Sequence, residues 1–115
     1  MLKIHPHIKK YSWGKKGSES LVSQLVYDTQ KLDVISKIHE PFYTDEPYAE
    51  LWMGTHPSGM AMIDENTSLK MIIDQHTLPD LPFLFKVLSI DKILSIQVHP
   101  NIEQAKELHD KFPHI

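Results

Sequence analysis

The sequence ILSIQVHP occupies residues 93–100 and decides how the rest of the chain is interpreted. Read with a period of two, it sends the aliphatic side chains to one side and the polar side chains Ser95, Gln97 and His99 to the other. That alternation is typical of a strand with one face on a core. Residues two apart on a strand lie about 6.6 Å apart along the chain and point the same way. Gln97 and His99 therefore have the spacing to share one small ion or ligand.

The pair Gln97 and His99 allows two interpretations. Amide oxygen and imidazole nitrogen both bind divalent metals, and a mixed site of this kind suits zinc, iron, cobalt or nickel. Single strand histidines are more often hydrogen-bonded side chains without a metal. A catalytic zinc takes roughly three protein ligands, and the pattern supplies two, so the spacing alone leaves both interpretations open.

Length and composition restrict the class of protein. The chain has 115 residues and a formal net charge of -3, as expected for one domain or a piece of one. It has no cysteine, which excludes disulfides and thiolate metal sites. The slightly acidic balance gives no electrostatic reason to expect nucleic acid or an anionic membrane as a partner. The most apolar run, 81–90, is interrupted by Lys86 and is far shorter than the ~20 residues of a membrane span. The sequence predicts a soluble, cytoplasmic protein.

Three short helices are predicted from N-cap residues followed by apolar positions at helical spacing. Ser18 begins the first, which extends to about Tyr27, and Thr67 begins the second. Asn101 begins the third and, with Gln104 three residues later, has the sequence of a near capping box.

Extended segments alternate with these helices. The first contains Pro6 and is therefore expected at a sheet edge. A tight turn at 90–92 predicts that the two segments flanking it are antiparallel neighbours. This mixture of short strands and helices is typical of an α+β or β-rich fold. The predicted extended segments are 4–13, part of 31–47, 48–53, 60–63, 83–89 and 93–99.

Two charged residues stand out within the apolar strands. Glu50 shares a predicted strand face with Tyr48 and Trp52, an arrangement that fits either a polar pocket with an aromatic wall or an ordinary exposed face. Lys86 interrupts a run of Phe, Leu and Val, so its ammonium group must reach solvent or meet an anion.

Four blocks, in order, resemble the type I phosphomannose isomerases, the zinc-dependent mannose-6-phosphate isomerases of the cupin superfamily. The similarity extends from about residue 11 to residue 112. It implies the N-terminal portion of a catalytic cupin domain over residues 1–115, that is, the opening part of a jelly roll with short helical insertions. The blocks are YSWG at 11–14, PYAELWMGTHP at 47–57, LPFLFKVLS at 81–89 and LSIQVHP at 94–100.

The resemblance implies reversible isomerisation of mannose 6-phosphate and fructose 6-phosphate by zinc-assisted proton transfer through an enediol, feeding GDP-mannose synthesis. It makes Gln97 and His99 zinc ligands. It assigns no catalytic residue securely within this chain, and it leaves open the catalytic base, the natural metal and the oligomeric state. It assigns contacts with the sugar phosphate to four residues: Trp13, Glu50, Lys86 and Ser95.

The resemblance also implies that part of the active site is absent from this sequence. The carboxylate ligand, a second histidine ligand and the catalytic arginine of the family are expected beyond Ile115. A neutral amide and one imidazole should hold zinc weakly. Two hypotheses remain: a portion of a mannose-6-phosphate isomerase, or a catalytically inactive truncated product that acts at most as a binding or interaction module.

Overall fold

A computed structural model describes residues 3–32 and 45–114, with side chains described for 3–27 and 45–114. Within these ranges the chain forms an antiparallel three-stranded sheet, a 3₁₀ turn and three α-helices, which confirms the predicted α+β class. The elements in chain order are β1 His7–Lys9, the 3₁₀ turn Gly17–Glu19, α1 Leu21–Leu32, β2 Glu50–Met53, α2 Leu69–Gln75, β3 Phe85–Leu88 and α3 Ile102–Lys111.

The sheet has the order β1-β2-β3, with β2 in the middle. Pro6 immediately precedes β1, and β1 lies at an edge as predicted, where a missing N–H is tolerated. The register places His7 opposite Trp52 and Trp52 opposite Lys86. Because paired residues in a sheet point to the same side, this register determines which side chains can meet.

One face of the sheet is the apolar core. Val22 from α1 packs with Leu51 from β2 and with Tyr48, and all three are buried. Ile8 and Val87, from the two outer strands, pack against this cluster. Tyr48 was predicted on the same face as Glu50, and that prediction is wrong. Regular pairing begins at Glu50, so the period of two does not extend back to Tyr48.

The first two helices begin one or two residues later than predicted. Ser20, not Ser18, precedes α1, and its hydroxyl accepts from the Val22 N–H at 3.1 Å and donates to the Tyr48 carbonyl at 2.7 Å. Ser18 lies instead in the 3₁₀ turn. Ser68 accepts from the Met71 N–H and so caps α2.

The predicted cap residue of α2, Thr67, closes the preceding turn. Its carbonyl accepts the Ile63 N–H at 2.8 Å. The third cap is confirmed, because Asn101 and Gln104 form a complete capping box at the start of α3.

Two predicted strands are not formed. The segment 60–63 makes only isolated bridges, from Met62 to His5 and to Ser68. The segment 93–99 has no regular pairing within the described part of the chain. β3 pairs with β2 and not with 93–99. The residues that follow β3 turn toward Trp13, whose carbonyl accepts the Asp91 N–H at 2.9 Å.

The strand predicted within 31–47 falls mainly on residues 33–44, which lie outside the described ranges. Among the helices that the structure describes, none has the length and apolar character needed to cross a bilayer.

Candidate functional site

The face of the sheet opposite the core carries charged and aromatic side chains, and we call it the polar face. Lys9 lies opposite Glu50 in the pairing of β1 with β2, and Trp52 lies opposite Lys86 in the pairing of β2 with β3. Since Glu50 and Trp52 are two residues apart on β2, both pairs point to the same side. The sheet register therefore gathers Lys9, Glu50, Trp52 and Lys86 from three strands.

Glu50 is the centre of the polar face. It is only 6% exposed, and its Oε2 accepts a hydrogen bond from the indole Nε1–H of Trp52. The same oxygen lies 3.4 Å from the ammonium of Lys86. Burying a carboxylate is costly unless it is hydrogen-bonded and paired with a cation, and here it has both kinds of partner.

Lys86 follows apolar residues in the sequence, so its ammonium was expected to reach solvent or meet an anion. Its side chain is 40% exposed, so the ammonium meets both an anion and solvent. A partly exposed cation beside a buried carboxylate offers an incoming polyhydroxy or phosphorylated molecule one donor and one acceptor at adjacent positions.

Trp52 connects the charged groups of this face. Lys9 Nζ lies 4.6 Å and Lys86 Nζ 5.7 Å from its ring centroid, both within the range of cation–π attraction. His56 meets the ring edge-on at 5.2 Å. From the sequence, Trp52 was expected at most as part of an aromatic wall beside Glu50. The available signal was its position two residues after Glu50, which puts an indole N–H on the same strand face as a carboxylate.

The turn at 56–59 lies over part of the polar face. Lys9 Nζ donates to the Ser58 carbonyl, and His56 contacts Trp52. A Cβ on Gly59 would lie 2.5 Å from the exposed His7 ring, so a larger residue there would require the ring to shift. The turn thereby fixes His56 and Lys9 beside the indole.

The other two predicted substrate contacts lie on different segments. Trp13 stacks on Tyr11 with ring centroids 5.7 Å apart, and its backbone carbonyl binds the chain after β3. Ser95 lies in the segment 93–99 and is exposed. Of the four residues assigned to the sugar phosphate, the structure brings Glu50 and Lys86 into direct contact.

The two predicted zinc ligands are also exposed. Gln97 and His99 lie in the segment 93–99, and His99 is next to α3. There the imidazole lines a surface cavity of about 370 Å³ whose other lining residues are Val98, Pro100, Gln104, Glu107, Leu108 and Lys111.

A further ionisable group lies at the end of β2. The Thr55 hydroxyl donates to Asp80 Oδ1 at 2.7 Å. This hydrogen bond lowers the pKa of the Asp80 carboxyl below its ordinary value of 3.8, with smaller contributions from the Leu81 N–H and the nearby Lys70. Thr55 is buried and Asp80 lies in the segment after α2, so the contact ties that segment to the sheet.

A family model described as "Phosphomannose isomerase type I, catalytic domain" matches residues 1–115. The chain belongs to this family. Type I phosphomannose isomerase relatives include the mannose-6-phosphate isomerase of Mus musculus, 44% identical over 92% of this chain and 27% of the relative. The mannose-6-phosphate isomerase of Cryptococcus neoformans is 42% identical over 100% of this chain and 28% of the relative.

Solved structures of the family share this fold. The apo form of mannose 6-phosphate isomerase from Salmonella typhimurium superposes with a TM-score of 0.62 at 30% identity, over 96% of this chain and 27% of that one. A mannose 6-phosphate isomerase bound with zinc and yttrium gives a TM-score of 0.62 at 31% identity, over 96% of this chain and 28% of that one. The chain thus spans about a quarter of the length of these relatives.

The donors present fit zinc in type but not in number. Gln97 offers an amide oxygen and His99 an imidazole nitrogen, and both residues are exposed. Over residues 3–32 and 45–114 there is no group of three or more His, Cys, Asp or Glu that could hold a metal ion. Neither donor is a carboxylate, so the pair brings no negative side chain to balance a dication.

Proposed function

We propose that residues 1–115 are the N-terminal portion of the catalytic domain of a mannose-6-phosphate isomerase, and that the enzyme interconverts mannose 6-phosphate and fructose 6-phosphate. The observation that carries the proposal is the pairing of buried Glu50 with partly exposed Lys86 on the polar face. Because the chain spans about a quarter of its relatives, the activity is proposed for the enzyme that this segment helps to build.

The reaction requires groups that hold sugar oxygens and move protons. Isomerisation transfers a proton between C1 and C2 of the sugar and shifts protons between the two neighbouring oxygens. The Lys86 ammonium is suited to an anionic oxygen, and the Glu50 carboxylate accepts from a sugar hydroxyl or carries a proton. Trp13 and Ser95 complete the proposed contacts, as a packing wall and a hydroxyl partner.

Zinc is the proposed cofactor, with Gln97 and His99 as two of its ligands. The remaining ligands would come from beyond Ile115 in a full-length enzyme, since two neutral donors make an incomplete site. When bound, zinc acts as a Lewis acid that polarises the substrate carbonyl. The solved relative bound with zinc and yttrium supports the choice of metal.

A hybrid enzyme tests the proposal directly. Residues 1–115 replace the aligned segment of the Mus musculus enzyme, and isomerase turnover is measured with and without added zinc. We expect the hybrid to be active, and we expect Glu50→Gln and Lys86→Met each to lower kcat/KM by about 10²-fold or more.

The matched control is Glu46→Gln. Glu46 is an exposed carboxylate paired with Lys10 at 2.7 Å, outside the polar face, and its loss should leave kcat/KM within about twofold, as for a surface ion pair. Full turnover in the Glu50 and Lys86 variants would contradict the assigned roles, and an inactive parent hybrid would contradict the proposed function.

A further inference from the structure

We infer that Trp52 is a positioning residue, whose indole holds the Glu50 carboxylate in place beside the Lys86 ammonium. The inference deepens the proposed function, since it concerns the residues proposed to contact the sugar phosphate. It rests on an arrangement in which one side chain contacts both the buried Glu50 carboxylate and the partly exposed Lys86 ammonium.

One carboxylate oxygen of Glu50 contacts both Trp52 and Lys86. Glu50 Oε2 accepts from the Trp52 indole N–H and is 3.4 Å from Lys86 Nζ. At 3.4 Å the contact between Lys86 and Glu50 is longer than a tight charge-assisted hydrogen bond. The indole N–H donates to the same oxygen and so adds a second restraint on it.

The indole ring of Trp52 also lies beside the ammonium of Lys86. The Trp52 ring faces Lys86 Nζ at 5.7 Å, so the same indole that donates to the carboxylate also attracts the ammonium. Because Trp52 and Lys86 are directly opposite in the register of β2 and β3, the backbone fixes their relative position. The Glu50 carboxylate lies at the end of three side-chain torsions, and the hydrogen bond from the indole N–H restrains it.

The indole of Trp52 is itself held by neighbouring side chains. Trp52 is 8% exposed, with His56 against its edge at 5.2 Å and Lys9 Nζ 4.6 Å from its centroid. Contacts from β1 and from the turn at 56–59 therefore set the direction of the indole N–H. A residue held in this way can orient a carboxylate without contacting the substrate.

The 115-residue chain supplies the first test, which is independent of activity. With ¹³C-labelled glutamate, Lys86→Met should shift the carboxyl carbon resonance of Glu50. In the Trp52→Phe background, which keeps a ring but removes the N–H donor, the shift caused by Lys86→Met should fall to less than half. In the Trp13→Phe background, where the ring lost stacks on Tyr11, the shift should be unchanged.

The hybrid enzyme supplies the second test, through a double-mutant cycle. Trp52→Phe should lower kcat/KM roughly tenfold when Glu50 is present and by less than about twofold in the Glu50→Gln background. Trp13→Phe should lower it by the same factor in both backgrounds.

The outcomes separate the two proposals. An undiminished Lys86 effect on the Glu50 resonance in Trp52→Phe overturns the inference, whatever the activity of the hybrid. Equal losses from Trp52→Phe in both Glu50 backgrounds also overturn it. A diminished effect in the chain together with an inactive parent hybrid overturns the proposed function and supports the positioning of Glu50 by Trp52.

Discussion

At the scale of single residues, the Thr55 hydroxyl controls the ionisation of Asp80. Replacing Thr55 by Val keeps the shape of the side chain and removes the donor, so the pKa of Asp80 should rise toward its ordinary value of 3.8. A carboxyl group whose pKa is lowered by folding stabilises the folded state at pH values above its pKa in the unfolded chain. That stability is lost as the pH falls through the pKa of the group in the folded state. Thr55→Val should therefore unfold more easily at neutral pH and lose less stability on acidification, as measured by urea unfolding from pH 7 to pH 2.

Asp64 is the internal control for that titration. Its pKa is also lowered, chiefly by the backbone N–H of Asn66, and it makes no use of Thr55. Carboxyl carbon resonances followed by NMR should show the pKa of Asp80 rising in Thr55→Val while that of Asp64 stays in place. Equal movement of both would indicate a general loosening of the fold.

His99 carries the second prediction at this scale. Titrating zinc into the 115-residue chain should move the imidazole resonances of His99 and the amide resonances of Gln97 together, with weak affinity because only two neutral donors are available. His99→Ala should weaken the apparent affinity by at least about tenfold. His109→Ala, which removes an imidazole from α3, should not change it. Loss of zinc binding in the His109 variant alone would place the metal elsewhere.

The sequence determined some of these residue contacts and not others. An ammonium within an apolar run predicts that Lys86 needs an anion or solvent, and the spacing of two puts Glu50 and Trp52 on one face. The contact between Glu50 and Lys86 depends on the register of β2 with β3, which joins residues 36 positions apart. Local periodicity contains no information about that register, so the contact was not predicted. The family resemblance assigned both residues to the sugar phosphate without pairing them.

At the scale of elements, the helix ends show how closely spaced polar residues compete for the N-cap position. Ser18 and Ser20 are both acceptable N-caps by residue type. Ser20 begins the helix because its hydroxyl also reaches the Tyr48 carbonyl at 2.7 Å, a tertiary contact that the local sequence does not reveal. Asn101 had no comparable competitor, and its capping box was predictable from four residues.

Helix α3 depends on that cap more than the other helices do. None of its residues is buried, and its apolar positions Ile102 and Leu108 are 76% and 48% exposed. Without packing, a ten-residue helix is marginal in water. Asn101→Ala should therefore cost α3 about 1 kcal/mol and largely unfold it, as read from Cα chemical shifts.

The control for this prediction is Ser68→Ala, which removes the cap of α2. That helix buries Ile73 and should keep its helical shifts, with a loss only in global stability. If α3 stayed helical in Asn101→Ala, contacts beyond its own cap would have to support it.

At the scale of the whole molecule, the fold divides into a packed part and an exposed part. The sheet, α1 and the turns around them share one core, whereas the apolar residues of α3 and all but Leu94 of those in 93–99 are exposed. Ile93 and Ile96 are each 100% exposed and Val98 is 93% exposed. The alternation that predicts a strand at 93–99 is present in the sequence, but a strand also needs a partner, and the described residues supply none there.

Exposed alternating aliphatic residues on an unpaired extended segment promote association with another chain. We expect the 115-residue chain to self-associate as its concentration rises. The double variant Ile96→Lys, Val98→Lys should raise the protein concentration at the midpoint of association by roughly tenfold or more. Sedimentation velocity over a concentration series measures both. Leu78→Lys is the matched control, because Leu78 is also 57% exposed but lies after α2, away from this segment. If the lysine pair left association unchanged while Leu78→Lys abolished it, the associating surface would be the one after α2, and the exposed strand sequence would be tolerated by the monomer.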